Sequence, residues 1–307
     1  MIIIFESILP IFLTVALGAF LKRLPIFTGD FWSGLNQFGY YVLFPALLFT
    51  TLARADFSDL AAGGIGTASF LGVLALSALT MALWFPLKKA GVGSPAFTSL
   101  FQTSTRWNGF MALAIADKLA GLEGMAVIAL MMTVNIIPLN IINVFVLVWF
   151  SGEDRNITAM IRKIVTNPLV LASLLGIVFN FGGIPVYEPV FVTMDLMARA
   201  ALGMGLVLVG AGLVLSDALK PKPLVLLPSA FKLLLFPVII FALAKTLGVS
   251  GTPLTMMVLG AGVPTAMNGY VLARQLGGDA RLYAAVVTVQ TVLSFFTLPM
   301  VMLVLGG

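Results

Sequence analysis

The sequence predicts an all-α membrane protein with ten transmembrane helices in two inverted repeats of five, with broken crossover helices at positions four and nine. Three observations support this fold class. The chain has 307 residues, of which 60% are hydrophobic and 9% charged, whereas a soluble domain carries about 25% charged residues. Ten apolar stretches are long enough to span a bilayer, and four landmarks recur in order in the two halves. We therefore expect the chain to be embedded in lipid.

Each predicted span is an apolar stretch of about 20 residues, the length that crosses a hydrocarbon core about 30 Å thick. The first to tenth spans are Ile2–Leu21, Phe31–Ala53, Ala61–Leu87, Pro95–Leu119, Gly124–Phe150, Ile164–Ile184, Val190–Leu215, Leu224–Leu247, Pro253–Leu276 and Tyr283–Leu305. The first span lacks a basic start and a small-residue cleavage site, so we interpret it as a span rather than a signal peptide. Strand-type alternation is missing, which disfavours a transmembrane barrel.

The distribution of Lys and Arg between the connections predicts the orientation. The odd-numbered connections hold Lys22, Arg23, Lys88, Lys89, Arg155, Arg162, Lys163, Lys220, Lys222, Arg274 and Arg281. The even-numbered side holds only Arg54, Lys118 and Lys245. Because cytoplasmic loops are enriched in basic residues, the odd connections are expected in the cytoplasm and both termini outside.

The two halves of the chain repeat the same landmarks at offsets of 157 to 161 residues. The pairs are Phe57-Ser58-Asp59 with Leu215-Ser216-Asp217, Gly91-Val92 and Pro95 with Gly248-Val249 and Pro253, Asn108-Gly109-Phe110 with Asn268-Gly269-Tyr270, and Pro138 with Pro299. Each pair is displaced by five spans, and an odd number of spans reverses the direction through the membrane. The repeats, 1–150 and 164–307 with a cytoplasmic connection at 151–163, are therefore inverted, as in secondary transporters.

Both repeats interrupt a span near its middle. Asn108 and Gly109 lie about 20 Å into the fourth span at 1.5 Å per residue. Asn268 and Gly269 follow Pro264 in the ninth span, which runs in the opposite direction. Gly and Pro release backbone groups that lipid cannot satisfy, so such breaks persist only against protein or a wet cavity.

The chemistry of these breaks favours an anion. The half-helices that begin at Gly109 and Gly269 each bring a partial positive charge and free N–H groups to their amino ends. The two Asn side chains add amide donors, and Arg106 adds a full positive charge one turn before the first break. We therefore predict a substrate site that includes Arg106, Asn108, Gly109, Pro264, Asn268 and Gly269.

Other interpretations of these residues remain open. A lone Asn-Gly pair in a membrane helix is often a tolerated kink, and Arg106 could form an ion pair or contact a lipid phosphate. Lys232 lies about eight residues from its loop and is expected to extend toward the membrane surface, as long cationic side chains do. Asp195 and Arg199 are spaced to pair with each other. The Asn residues of the fifth span and the Thr, Ser and Gln residues of the tenth are at least as suited to hydrogen bonds between helices as to ligand binding.

The sequence lacks the residue types on which most enzyme mechanisms depend. The chain contains no His and no Cys, which removes imidazole bases, thiolate nucleophiles and the usual ligands of zinc, haem and iron–sulfur clusters. Counted by position, the 12 acidic residues do not place a carboxylate pair at mid-depth. We therefore predict a protein that is not an enzyme, with no cofactor, no metal site and no nucleic-acid partner.

Several motifs together resemble the auxin efflux carrier family, which includes bacterial malonate-type carriers and plant PIN-type carriers. They are Tyr41–Phe49 (YVLFPALLF), Arg106–Phe110 (RWNGF) with Gly121 and Gly124 downstream, Val271–Ala273 (VLA) and Thr297–Pro299 (TLP). The resemblance covers essentially the whole chain. It implies a scaffold from spans one, two, six and seven, and a transport domain from spans three to five and eight to ten. It also implies an elevator motion, often within a dimer, and substrate-binding roles for Asn108 and Asn268. Many members place a proline just after the first crossover Asn, whereas residues 110–116 contain none here.

These observations predict a secondary transporter of small organic anions, mono- or dicarboxylates, in the inner or plasma membrane. The alternative within transport is a sodium-coupled carrier of the bile-acid symporter type, and a channel or a membrane-embedded enzyme are further readings. Where ion coupling exists, Na⁺ is expected on carbonyl, amide and hydroxyl oxygens. Protons would instead arrive on the substrate or through a peripheral acid.

Overall fold

The computed structural model describes residues 2–54, 64–151, 166, 168–213, 223–266 and 269–305. Within these ranges every regular element is a helix, so the predicted all-α fold is confirmed there. Five helical stretches are long and apolar enough to cross a membrane: Ile65–Lys89, Ser94–Phe150, Glu188–Ala211, Pro223–Thr246 and Ala280–Leu305. The landmarks at 57–59 and 215–217, most of the connection 151–163, and Asn268 lie outside the described residues.

Fourteen α-helices are described in these ranges. Helices α1 to α5 are Ile2–Leu21, Gly29–Phe38, Phe44–Ala53, Ile65–Ala82 and Trp84–Lys89. Helices α6 to α9 are Ser94–Thr105, Gly109–Ser151, Pro168–Phe181 and Glu188–Ala211. Helices α10 to α14 are Pro223–Ala230, Phe236–Thr246, Gly251–Gly262, Gly269–Gln275 and Ala280–Leu305. The long helix α7 is kinked at Gly121, where φ is 54° and ψ is −140°, between the predicted fourth and fifth spans.

Two π-helical turns lie inside otherwise continuous helices. One, Gly39–Leu43, joins α2 to α3, and the other, Phe231–Leu235, joins α10 to α11. Each turn is followed by Phe and then Pro, namely Pro45 and Pro237. Proline has no N–H to donate to the carbonyl four residues earlier, so the helix widens locally before it continues.

Helices α1, α3, α8 and α9 form one packed group. Its tightest contact is reciprocal: a Cβ added at Gly18 of α1 would strike the backbone of Val207, and one added at Gly210 of α9 would strike the backbone of Val15. Small residues permit such close backbone approach between membrane helices. The pair α1–α9 is therefore held by direct backbone contact.

The remaining long helices form a second packed group, in which α12 contacts α7, α11 and α14, and α6 contacts α7, α10 and α14. Helix α7 also contacts α1, α3, α8 and α9 of the first group. At this boundary the rings of Phe44 and Phe110 stack with centroids 3.7 Å apart and an interplanar angle of 18°. An aromatic pair thus joins the two groups beside the first break.

The expectation that Lys232 extends toward the membrane surface is wrong. Its side chain is fully buried, its Nζ donates to the carbonyl of Ala261, and Nζ lies 4.7 Å from the centroid of the Phe236 ring. Packing of α12 and α14 around the second π-helical turn encloses the side chain, so no path to the surface is left.

Polar residues of the fifth span make hydrogen bonds between helices, as one of the open interpretations predicts, whereas the hydroxyls of Thr291 and Ser294 in the tenth span donate to carbonyls of their own helix. Asn135 donates to the hydroxyl of Ser69 at 2.5 Å, and Asn143 accepts from the hydroxyl of Thr105 at 3.2 Å. The predicted pair of Asp195 and Arg199 is confirmed, with Nε 2.8 Å from the carboxylate oxygen.

Candidate functional site

The first interruption separates α6 from α7. Helix α6 ends at Thr105, and Arg106 continues in extended conformation with φ −69° and ψ 157°. The last turn of α6 is polar yet buried. The hydroxyls of Thr103 and Ser104 donate to carbonyls of the preceding turn, and the hydroxyl of Thr105 shares its proton between the carbonyl of Phe101 and Oδ1 of Asn143. These internal bonds satisfy the hydroxyls inside an apolar protein.

The second interruption separates α12 from α13. Helix α12 ends at Gly262, and Val263 is extended with φ −67° and ψ 152°. Pro264 follows, and its missing N–H prevents the helix from continuing. Helix α13 begins at Gly269, where an added Cβ would clash with the hydroxyl of Tyr283.

The two interruptions touch each other directly. The backbone N–H of Asn108 donates to the carbonyl of Pro264 at 2.8 Å. The hydroxyl of Thr265 lies 2.7 Å from the carbonyl oxygen of Thr103 and 3.0 Å from that of Arg106. Of the six residues that the sequence predicts for the site, the structure therefore brings Arg106, Asn108 and Pro264 together, while Asn268 falls outside the described residues.

Gln290 of α14 forms hydrogen bonds with both interruptions at once, so the expectation that polar residues of the tenth span bond to other helices holds for this side chain. Its Oε1 accepts from the N–H of Thr265 at 2.9 Å. Its Nε2 donates to the carbonyls of Thr103 at 2.9 Å and Pro228 at 3.3 Å. Tyr283, which the sequence did not indicate for the site, donates its hydroxyl to the carbonyl of Ala266 at 2.6 Å. In the sequence, both residues are visible as polar side chains inside an apolar span, but their hydrogen-bond partners are not.

The guanidinium of Arg106 is buried, with 7% of the residue exposed. Its Nε donates to Oε1 of Gln102 at 3.3 Å, and its Nη1 donates to Oδ1 of Asn140 at 3.4 Å. Its Nη2 has no hydrogen-bond partner among the described residues. The carboxylate ion pairs found in the described ranges, Arg54–Glu188 and Asp195–Arg199, do not include it.

The side-chain amide of Asn108 forms a hydrogen bond through Oδ1, whereas its Nδ2 has no partner among the described residues. Its Oδ1 accepts from the backbone N–H of Met111 at 3.1 Å, which caps the amino end of α7. Its Nδ2 is buried and unbonded to any described residue. Gly109 permits this geometry because a Cβ there would lie 2.7 Å from the sulfur of Met132.

The first interruption therefore carries several donors that no described acceptor matches. Arg106 Nη2, Asn108 Nδ2 and the adjacent Gln102 Nε2 are all buried and unpartnered in the part of the chain that the structure describes. Unpaired buried donors are unfavourable unless something accepts their protons. Nearby, the described ranges hold no group of three acidic side chains that could bind a metal. The arrangement is suited to an acceptor-rich, negatively charged ligand.

The fold and this site define a helical membrane protein whose helices break at a buried, donor-rich centre. A family model described as "Membrane transport protein" matches residues 3–302. The chain belongs to this family, that of the auxin efflux carriers and their PIN-like relatives, and the predicted resemblance is confirmed. Family and helices together identify an integral membrane protein of the transporter class.

Curated relatives cover almost the whole chain. An "Uncharacterized transporter" of Methanothermobacter thermautotrophicus is 26% identical over 303 residues, which are 96% of each chain. A protein named "Putative malonate transporter" from Rhizobium meliloti is 26% identical over 313 residues, 94% of this chain and 92% of the relative. The "Uncharacterized transporter YfdV" of Escherichia coli is 24% identical over 308 residues, 96% of this chain and 95% of the relative.

Proposed function

We propose that this chain is a secondary transporter that moves small organic anions, mono- or dicarboxylates, by alternating access. The observation that carries the proposal is the buried guanidinium of Arg106 beside the first helix interruption, with Nη2 free of any described partner and no described carboxylate paired with it. A buried cation without a counter-charge is costly, and a substrate carboxylate would supply that charge.

Asn108 supports the same assignment. Its Oδ1 is held by the N–H of Met111, so the side chain is oriented before any ligand arrives. The free Nδ2 and the amino end of α7 then offer a hydrogen bond and a partial positive charge to the same ligand. Preorganised donors lose little entropy on binding, which favours affinity for a small anion.

The second interruption is proposed to complete the site. Pro264 lies in contact with the backbone of Asn108, and Gly269 begins the half-helix beyond the break. By the sequence repeat, Asn268 corresponds to Asn108, and we assign it the matching role of amide donor. A dicarboxylate would then have one donor set at each break.

We further propose the architecture of ten spans in two inverted repeats, with an elevator mechanism. The mutual packing of α1, α3, α8 and α9 supports a scaffold. The hydrogen bonds of Gln290 and Thr265 support a transport domain that carries both interruptions as one body. In an elevator mechanism, the transport domain moves past the scaffold, so the Phe44–Phe110 stack at their boundary would separate or slide as the substrate crosses.

The proposed membrane is the inner or plasma membrane, with both termini outside and any homodimer formed through the scaffold. Because the chain has no Cys, single cysteines report orientation directly. An impermeant thiol reagent applied to cells should label Lys245→Cys and leave Lys89→Cys unlabelled. The reverse pattern would contradict the orientation, and cross-links between the fourth spans of two protomers throughout the cycle would contradict a scaffold dimer.

Transport by purified protein in liposomes tests the function. Vesicles preloaded with one carboxylate should accumulate the labelled form by counterflow, and uptake should saturate. Non-saturating flux without counterflow would indicate a channel. A strict requirement for Na⁺ would favour the alternative, a sodium-coupled carrier of the bile-acid symporter type. The panel should include acetate, malonate, succinate and a neutral amide of matched size, which is not expected to be transported.

A further inference from the structure

A second buried cation lies at the other interruption, and the anion site does not use it. Lys232 sits in the π-helical turn between α10 and α11, about 14 Å along the helix from Pro223 at 1.5 Å per residue. In a hydrocarbon core about 30 Å thick this position is near mid-depth. The side chain is fully buried, so its ammonium needs compensation inside the protein.

That compensation comes from the carboxyl end of the broken helix α12. Nζ of Lys232 donates to the carbonyl of Ala261, one residue before α12 ends. In a continuous helix this carbonyl would accept from the N–H of Thr265, but that N–H donates to Oε1 of Gln290 at 2.9 Å instead. The break therefore frees the acceptor that the ammonium occupies.

Among the described helices packed against Lys232, no carboxylate competes for this role. The elements packed against the π-helical turn are α6, α10, α11, α12 and α14. Their sequences contain no Asp and no Glu, and their other basic residues, Lys245 and Arg281, lie at the end of α11 and the start of α14. The partial negative charge at the end of α12 and the ring face of Phe236, 4.7 Å from Nζ, are the groups that face the ammonium.

Carbonyls at the carboxyl ends of half-helices are where inverted-repeat transporters bind their coupling cation. We propose that the ammonium of Lys232 is a resident cation that fills such a place at the end of α12, so the carrier works without inorganic Na⁺. The proposal rests on the proposed transport function. A covalently attached charge moves with the transport domain and cannot be released, so it stabilises the broken helix without coupling it to a sodium gradient.

The test compares wild type with Lys232→Ala and Lys232→Met, and uses Lys245→Ala as the matched control. Lys245 also lies near a ring, 5.9 Å from the centroid of Phe241, but it is exposed at the end of α11. The first readout is the melting temperature of purified protein in NaCl and in choline chloride at equal ionic strength, which requires no substrate. The second readout is counterflow in the same two salts.

For wild type and for Lys245→Ala, we expect the melting temperature and the counterflow to be the same in NaCl as in choline chloride. Lys232→Ala removes a group with the shape of propylammonium, so it should melt lower than wild type. Propylammonium or Na⁺ should then raise its melting temperature by about 2–4 °C and restore counterflow, whereas 1-propanol, which has the shape without the charge, should do neither. Lys232→Met keeps most of the volume and should also lose flux.

Three results would overturn the proposal. The first is that the stability or counterflow of wild type requires Na⁺, and the second is that Lys232→Met keeps wild-type stability and flux. The third is that 1-propanol rescues Lys232→Ala as well as propylammonium does. Should wild type transport none of the carboxylates, the proposed function fails, but the melting temperatures still decide the role of Lys232. If Lys232→Ala does not fold, Lys232→Met and the sodium response of wild type decide it.

Discussion

The backbone N–H of Asn108 donates a hydrogen bond to the carbonyl of Pro264 at 2.8 Å, although 156 positions separate the two residues in the chain. Each residue lies in the non-helical segment of a broken helix. The first break supplies the N–H donor and the second break supplies the carbonyl acceptor. The two interruptions therefore satisfy part of each other's backbone hydrogen bonding without water.

The guanidinium of Arg106 is expected to dominate anion affinity. A charge-assisted hydrogen bond contributes about 1.5–3 kcal/mol, so Arg106→Ala should raise the apparent substrate constant by about 10-fold to 150-fold. Arg106→Lys should recover part of this loss, because it restores the charge without the planar fork. Concentration-dependent counterflow measures the effect, and Arg199→Ala, which removes an exposed Arg, is the control.

Stability separates this binding role from a structural one. An unpaired buried cation destabilises the protein when no anion is bound. Arg106→Met removes this cost but also the hydrogen bonds to Gln102 and Asn140, so its melting temperature in anion-free buffer should lie close to that of wild type, and an added carboxylate should stabilise only wild type. A large fall in the melting temperature without substrate would assign Arg106 to the fold instead.

Asn108→Asp is expected to separate helix capping from ligand binding. Asp caps a helix about as well as Asn, so the bond from the N–H of Met111 should persist. The new carboxylate lies at the same break as Arg106, so the melting temperature should be no lower than that of wild type. The variant replaces the Nδ2 donor with a charged oxygen that repels a carboxylate, so binding measured by calorimetry should be lost. Retained carboxylate affinity in this variant would mean that Nδ2 does not contact the substrate.

The hydrogen bonds of Gln290 are expected to hold the two interruptions together. Gln290→Leu removes this partner from the N–H of Thr265 and the carbonyl of Pro228, while the carbonyl of Thr103 keeps the hydroxyl of Thr265. Each unmet group costs about 1–3 kcal/mol. The melting temperature should fall by several degrees, and transport should fall with it. Thr297→Val on the same helix is the control, because the Thr297 hydroxyl is already unpartnered among the described residues. Equal melting temperatures for the two variants would show that the Gln290 network contributes nothing.

The backbone contact between α1 and α9 is expected to tolerate no added methyl group. Gly210→Ala would place a Cβ against the backbone of Val15, so the helices must move apart and the melting temperature should fall. On the same helix, Gly203 has open space around it, and Gly203→Ala should be neutral. A neutral Gly210→Ala would indicate that the scaffold helices adjust freely.

Local chemistry made much of this structure predictable. Pro264 and the Asn-Gly pairs stand out in apolar spans, because residues that break helices are visible in the sequence itself. The partners of those residues were not visible: Thr265 and Gln290 lie 25 residues apart, on elements whose contact depends on tertiary packing. The error over Lys232 has the same origin. Distance along the chain suggested that its side chain reaches the surface, whereas the helices packed around the second π-helical turn enclose it.

Carboxylate binding to wild type, Asn108→Ala and Asn268→Ala shows whether the substrate anion sits between the two interruptions. Each Asn should donate one hydrogen bond to the charged ligand, so each variant should bind about 10-fold more weakly or worse while remaining folded. Isothermal titration of the folded proteins with the best carboxylate of the panel, alongside counterflow, gives both values. Wild-type affinity and flux in both variants would contradict the account, because the substrate would then bind elsewhere.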